Sequence, residues 1–327
     1  MYKQMKTTTS TIACLFLLIA CIETDPSSGN RMISDRNNKA VTSFEVDKEL
    51  ENKILSKTDR ESADRVLLKV EKAFNENPED EFNIINYGIK LADLGRFQEA
   101  INLYDEGLIK FPESYKIRRY IGQQYLTTRQ FDEAITSLSE ALTYANDSPV
   151  IEFEHSNLKN NKKKTVYNVK FNIWYYLGLS YYMKGNYDKA ISSFRKCEKY
   201  TNNNDLKVVI ANWLYTAFAK IGNIDLAEAE IMSIPINMRL IESKSRKYHD
   251  LIMLYRGLVT PSILTKRNGI DADVGYGIGN YYLINGQVEN AISAFNRVIS
   301  TEQQERIGYM AIEAELAVLL GSQISDL

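Results

Sequence analysis

The chain has 327 residues, of which 44% are hydrophobic and 25% charged, a make-up that allows a packed core in one long domain or two ordinary ones. With only 6 prolines and 16 glycines, long helices are permitted almost throughout. The formal charge of −2 supplies no field for drawing in nucleic acid, which is excluded as a partner on that ground.

The first six residues carry Lys3 and Lys6 and no acid, and an apolar run follows from Ile12 to Ile22. That run is too short for a bilayer span, which takes about 20 residues, and a basic start before it reads as a secretory signal. The run ends in Leu18-Ile19-Ala20-Cys21, which resembles the lipobox of bacterial lipoproteins. The resemblance implies that the Cys21 sulfur receives a diacylglyceryl group and that the cysteine becomes residue one after cleavage. Residues 1–21 are then a signal peptide, and its loss takes away Lys3 and Lys6, moving the formal charge from −2 to −4. Cys14 goes with it, Cys21 is modified, and Cys197 is left without a partner for an intramolecular disulfide. Residues 22–46 are polar and without periodicity, as a tether between lipid and domain would be.

From residue 47 the chain repeats itself with a period of 34 residues. Ala100 and Ala134 lie 34 apart, as do Pro78 and Pro112. In this register the eighth place of the units holds Gly88, Gly122, Gly178 and Gly279, with Tyr215 as the exception. The twentieth holds Ala100, Ala134, Ala190, Ala227 and Ala291, and the twenty-fourth holds Tyr104, Leu138, Phe194, Ile231 and Phe295. Small residues belong where two antiparallel helices come closest, and large apolar ones where a gap opens between hairpins. Glycine recurs in the turn between the helices at Gly95, Gly185, Gly222 and Gly286. An acid then opens the next helix at Asp132, Asp188, Asp225 and Glu289, complementing its dipole.

The pattern resembles the tetratricopeptide repeat (TPR). It is clearest from Phe171 to Asn204, with Trp174, Leu177, Gly178, Tyr181, Ala190 and Phe194 at the family's consensus places. The resemblance implies an all-α fold, a right-handed solenoid of TPR helical hairpins. Its units are 81–114, 115–148, 171–204, 208–241 and 272–305, preceded by a weaker unit at 47–80 and followed by a closing helix at 306–320. Two stretches break the period. Residues 149–170 contain Val150-Ile151-Glu152-Phe153-Glu154 and Thr165-Val166-Tyr167-Asn168-Val169, which alternate like strands; a small β-hairpin and a loop insertion are both open readings. Residues 242–271 begin as one amphipathic helix up to Leu258, as if a repeat had lost half its hairpin.

Nothing in the sequence points to catalysis, a metal or a cofactor. His155 and His249 have no partner at ligand spacing, and there is no Cys-x-x-Cys. Gly275-x-Gly277-x-Gly279 resembles a phosphate loop but continues into Asn280 where that motif requires glycine, and Gly279 already has a packing role. The cluster Glu76, Glu79, Asp80, Glu81 lacks calcium-loop spacing and reads as a solvated face.

In the repeat family, places 2, 5, 9 and 12 line a concave wall. Carried over residue by residue, they give a partner-binding groove of Lys116, Arg119, Gln123, Asn172, Tyr175, Tyr182, Asn212, Thr216, Tyr276 and Asn280. In the first unit they give Phe82, Ile85 and Ile89, which read as packing residues. The lysine, asparagine and arginine clamp with which some family members hold a peptide carboxylate is missing, since its places hold Ile85, Ile89, Tyr120, Asn172 and Tyr176. The resemblances together imply a non-enzymatic scaffold, lipid-anchored at the periplasmic face of the outer membrane, that binds a protein partner of the cell envelope. The alternative is periplasmic capture of a small molecule or glycan for a transport system. An open groove would favour the first, an enclosed aromatic pocket the second.

Overall fold

A computed structural model describes residues 57–146, 148 and 168–325. Cys21, the signal segment, the tether and the stretch 149–167 lie outside the described residues. Among the described residues there are fourteen helices and no strand. Of the described elements, helix α1 (Lys57–Glu76) comes first. Six hairpins follow it: α2 (Glu81–Asp93) with α3 (Phe97–Lys110), α4 (Tyr115–Thr127) with α5 (Phe131–Tyr144), and α6 (Val169–Met183) with α7 (Tyr187–Glu198); then α8 (Asn204–Lys220) with α9 (Ile224–Met232), α10 (Ser243–Tyr255) with α11 (Pro261–Asn268), and α12 (Ala272–Ile284) with α13 (Val288–Ile299). The last helix is α14 (Ile307–Ser325).

Short polar side chains start the first helices of most hairpins. Asp80, Ser114, Asn168, Asn203 and Asp271 each accept a hydrogen bond from a backbone N–H of the first turn, at 2.8–3.1 Å. The turns inside the hairpins are closed by Gly95, Gly185, Gly222 and Gly286, with φ from 69 to 79°. The second unit departs: Arg129 takes the same left-handed conformation, φ 64°, and is the one non-glycine to do so among the described residues.

The alternation of small and large residues has a direct cause. Each eighth-place glycine lies under the twenty-fourth-place side chain of its own hairpin. A Cβ at Gly178 would come within 2.5 Å of Phe194, and one at Gly122 within 2.5 Å of Leu138. The large residue therefore fills the space glycine leaves within one hairpin rather than a gap between hairpins. Ala100, Ala134, Ala190, Ala227 and Ala291 are all fully buried. The Gly275-x-Gly277-x-Gly279 run is resolved as packing: Gly275 meets Val298, Gly277 meets Leu251 and Gly279 meets Phe295. Tyr215, at the glycine place of the fourth unit, stacks on Tyr255 with ring centres 4.3 Å apart.

Three expectations are corrected here. Residues 57–76 form one unbroken helix where the weak unit at 47–80 requires a turn, and α1 packs along its length as one helix against α2. The segment 242–271 keeps both halves of its hairpin. Thr260 caps α11 and Pro261 opens it, and the pair sits between α8 and α12, so the stack continues through it. Helix α6 begins at Val169, so the end of the strand-like stretch Thr165–Val169 is helical.

Candidate functional site

The residues at the groove places do gather on one face, but that face is not open. Arg119, Asn172, Tyr175, Tyr182, Asn212, Thr216, Tyr276 and Asn280 are each 7% exposed or less. Their burial corrects the expectation of an exposed wall. Trp213 is the centre of an aromatic stack: Phe194 lies 6.1 Å from it, Tyr276 5.9 Å, and Phe295 stacks 6.3 Å from Tyr276. Tyr182 meets Trp213 edge-on at 5.2 Å. These rings belong to one apolar core that takes in Tyr309, Met310, Ala311 and Ile312 of the closing helix.

Helix α14 packs on α12 and α13 and reaches across the concave face to α6. Tyr276 donates to Glu315 Oε1 at 3.3 Å, and the hydroxyls of Tyr276 and Tyr182 lie 2.5 Å apart. Since Tyr276 spends its proton on the carboxylate, Tyr182 is the donor between the two phenols. Glu315 Oε1 also holds Lys220 Nζ at 2.7 Å, from the end of α8. Burial, reinforced by the Glu315 charge, pushes the Tyr182 phenol well above its ordinary range. Burial does the same for Tyr276, with Tyr182 and Glu315 adding to it. Both are therefore neutral hydrogen-bonding groups at physiological pH.

Arg129 is the second anchor. Its guanidinium bonds Glu313 at 2.8 Å, the Gln304 carbonyl at 2.7 Å, and the carbonyl of Thr127. The left-handed backbone at Arg129 costs roughly 1–2 kcal/mol relative to glycine, and this residue supplies a cation for α14 where the other five hairpin turns have glycine. Sequence reasoning missed Arg129, Glu313 and Glu315. The signal for Arg129 was legible as a non-glycine at a place that four other units fill with glycine.

Beside the N-terminal end of α14 the concave face stays accessible as a recess of about 400 Å³. Arg119, Gln123, Asn172 and Tyr175 line it, together with Phe171, Tyr176, Tyr248 and Arg306. Arg119 stacks its guanidinium over Tyr120, 4.1 Å from the ring centre, and lies 5.1 Å from that of Tyr176. Its Nη1 donates to Gln123 Oε1 at 2.8 Å. Asp273, also in the lining, accepts from the Gly308 N–H at 3.0 Å, and burial lifts its carboxyl above the ordinary range while Arg306 partly opposes. Lys116 is half-buried on α4 outside this lining. On the other side of α14, Tyr182 joins Phe131, Tyr187 and Met310 in a second, more apolar recess of about 400 Å³. In the first unit, Ile85 is fully buried whereas Phe82 is 39% exposed. Among the described residues, no group of three His, Cys, Asp or Glu side chains is placed to hold a metal, and no helix is long and apolar enough to cross a membrane.

Tetratricopeptide-repeat family models match residues 88–149, 171–204 and 272–305. The fold is a tetratricopeptide-repeat solenoid. No catalytic family is among these matches. A search of curated proteins returned no match. Similar solved structures include YrrB, described as a TPR protein with an unusual peptide-binding site, at 17% identity over 75% of this chain and 97% of that one, TM-score 0.39. MamA from Desulfovibrio magneticus RS-1 is similar at 17% identity over 59% and 93%, TM-score 0.41. The human IFIT1 dimer with PPP-AAAA is similar at 16% identity over 71% and 57%, TM-score 0.41. The repeats of this chain, not these likenesses, carry the assignment.

Proposed function

We propose that this tetratricopeptide-repeat chain is a protein-interaction scaffold of the bacterial cell envelope, held by lipid on Cys21 to the periplasmic face of the outer membrane. The observation that supports a binding role is the recess beside α14. It gathers an aromatic floor and the planar polar side chains of Arg119, Gln123 and Asn172 on the face that the repeats turn inward. Because α14 occupies the rest of that face, the partner meets this recess and its rim rather than the length of the solenoid. A photo-crosslinking amino acid at Gln123, with the chain at native level in membranes, should capture a discrete partner. The same probe at Ser139, exposed on the outer helix α5, should not. Equal capture at both positions would refute the assignment of the recess. Lipidation is tested apart from this: radiolabelled palmitate should enter the wild type and not Cys21→Ala.

The recess also supports the second reading, capture of a small molecule or glycan. Its volume falls in the range of about 300–1,000 Å³ usual for such ligands, and its walls are rich in tyrosine. Free glycans or envelope extracts that quench tyrosine fluorescence of the wild type but not of Arg119→Ala would favour it. Capture of a protein through Gln123, unaffected by those extracts, would favour the scaffold.

A further inference from the structure

The stretch from Ser233 to Gly269 carries seven lysines and arginines against two acids, Glu242 and Asp250, in a chain whose overall charge is −2. Three of the cations are engaged: Lys247 with Asp271, Arg256 with the Ile234 carbonyl, and Arg267 with Asp250. Arg239, Lys244, Arg246, Lys266 and Arg267 are exposed. Arg239 from the loop before α10, Arg246 and His249 from α10, and Arg267 from α11 converge on one cleft of about 440 Å³. Its one acid, Asp250, pairs with Arg267 at 2.8 Å, which leaves Arg239 and Arg246 as the cations in excess in the lining. Two arginines in excess from the loop and α10, with the Arg267 guanidinium at the same opening, match the charge and shape of a phosphate group.

The loop that supplies Arg239 also exposes large apolar side chains. Ile236 is 61% and Ile241 72% exposed, and Ile263 and Ile270, at the two ends of α11, are 45% and 48%. The loop is held in place: the buried Asp205 carboxylate accepts from the N–H groups of Ile241 and Glu242, at 3.1 and 2.8 Å. Arginines beside isoleucines that face water suit an interface where phosphates lie next to hydrocarbon. We infer that this hairpin docks on an anionic membrane surface, with a lipid phosphate in the Arg239–Arg246–Arg267 cleft and Ile236 and Ile241 entering the headgroup–acyl boundary. The contact does not depend on lipid at Cys21, because it reads the sign of the surface charge and an acyl anchor does not.

The test compares the full chain bound to phosphatidylcholine vesicles and to vesicles containing phosphatidylglycerol, following hydrogen exchange over 233–246 and 261–270. Protection should appear on the anionic vesicles alone and decline with salt. Arg239→Glu with Arg246→Glu should abolish it and weaken anionic-vesicle binding at least tenfold, by the loss of two surface cations and the gain of two like charges. Ile236→Ser with Ile241→Ser, which leaves every charge in place, should weaken binding independently, so a folding defect in one variant does not decide the matter. Equal protection on both vesicle types, or full binding by the charge-reversed chain, would overturn the inference. So would protection by millimolar inorganic phosphate with none on vesicles, which would assign the cleft to a soluble phosphate instead.

Discussion

Removal of the Glu315 carboxylate tests whether α14 is an integral part of the solenoid. Glu315 is 7% exposed and joins α14 to α8 through Lys220 and to α12 through Tyr276. In Glu315→Ala the Lys220 ammonium keeps a side-chain exposure of order 16% and loses its counter-charge, while the Tyr276 hydroxyl loses its acceptor. Removing one partner of a buried pair costs about 3–5 kcal/mol, and the partial access of Lys220 to water places the loss near the lower figure. For a domain of this size each kcal/mol moves the midpoint by about 2–4 °C, so thermal unfolding followed by circular dichroism should fall by roughly 6–12 °C. Lys220→Ala combined with Glu315→Ala should cost less than the two single losses added together. Lys220→Met with Glu315→Leu, apolar and of similar size, should recover most of the stability. A midpoint for Glu315→Ala within about 1 °C of the wild type, a shift worth well under 1 kcal/mol, would refute the view that α14 is locked by this carboxylate.

Three other expectations follow from the same packing. Arg129→Gly should unfold at higher temperature than Arg129→Ala by the equivalent of about 1 kcal/mol, because both lose Glu313 but only glycine relieves the left-handed backbone; equal midpoints would show that φ is not strained. Ala190→Leu should cost about 1–3 kcal/mol in chemical denaturation, since Ala190 is fully buried between the helices of its hairpin. Asp273 has a folded-state pKa above its ordinary 3.8, chiefly from burial, so the folded chain binds this proton more readily than the unfolded chain. Its contribution is therefore held below the ordinary value and lost as pH rises through the folded one; Asp273→Asn should flatten that part of the stability–pH profile, and an unchanged profile would contradict it.

The repeat architecture was legible because it is local. A glycine eight places into a unit and a large residue sixteen places later must meet across one hairpin, as Gly178 and Phe194 do, and both lie within a single 34-residue period. The placement of α14 was not legible, because it depends on contacts such as Arg129 with Glu313, 184 residues apart, which no period announces. Helix α11 escaped detection since it has eight residues and one buried side chain, Leu264, too little for an amphipathic pattern. Of the groove places, Arg119, Gln123, Asn172 and Tyr175 line one recess, while Tyr182, Asn212, Thr216, Tyr276 and Asn280 are buried. Whether the concave face meets water or another helix was decided by the chain after residue 306, where Met310 and Ile312 bury themselves against it.

That decision changes which residues can report on binding. Tyr175 and Tyr276 occupy places that would be exposed hot-spot candidates in an open groove, but here they are 7% and 3% exposed within the aromatic core. Truncating a buried aromatic costs about 3–5 kcal/mol, so Tyr175→Ala with Tyr276→Ala would remove much of the total stability of a typical domain, about 5–15 kcal/mol. Circular dichroism of that double variant should show lost helix or a sharply lowered midpoint, and any loss of partner capture would then reflect unfolding. A double variant with wild-type unfolding would mean that the aromatic stack contributes little and that α14 does not seal the face. Binding energy is better sought at Gln123 and Lys116, which are half-exposed on α4 and support no ring of the stack. Lys116→Ala should leave the midpoint within about 1 °C, a change of a few tenths of a kcal/mol, as surface substitutions do, and Gln123→Ala should cost about 1–2 kcal/mol because the buried Arg119 loses an acceptor, a loss that leaves the chain folded. A loss of capture in either variant is then a property of the recess and its rim; unchanged capture in both would move the partner's seat off this face.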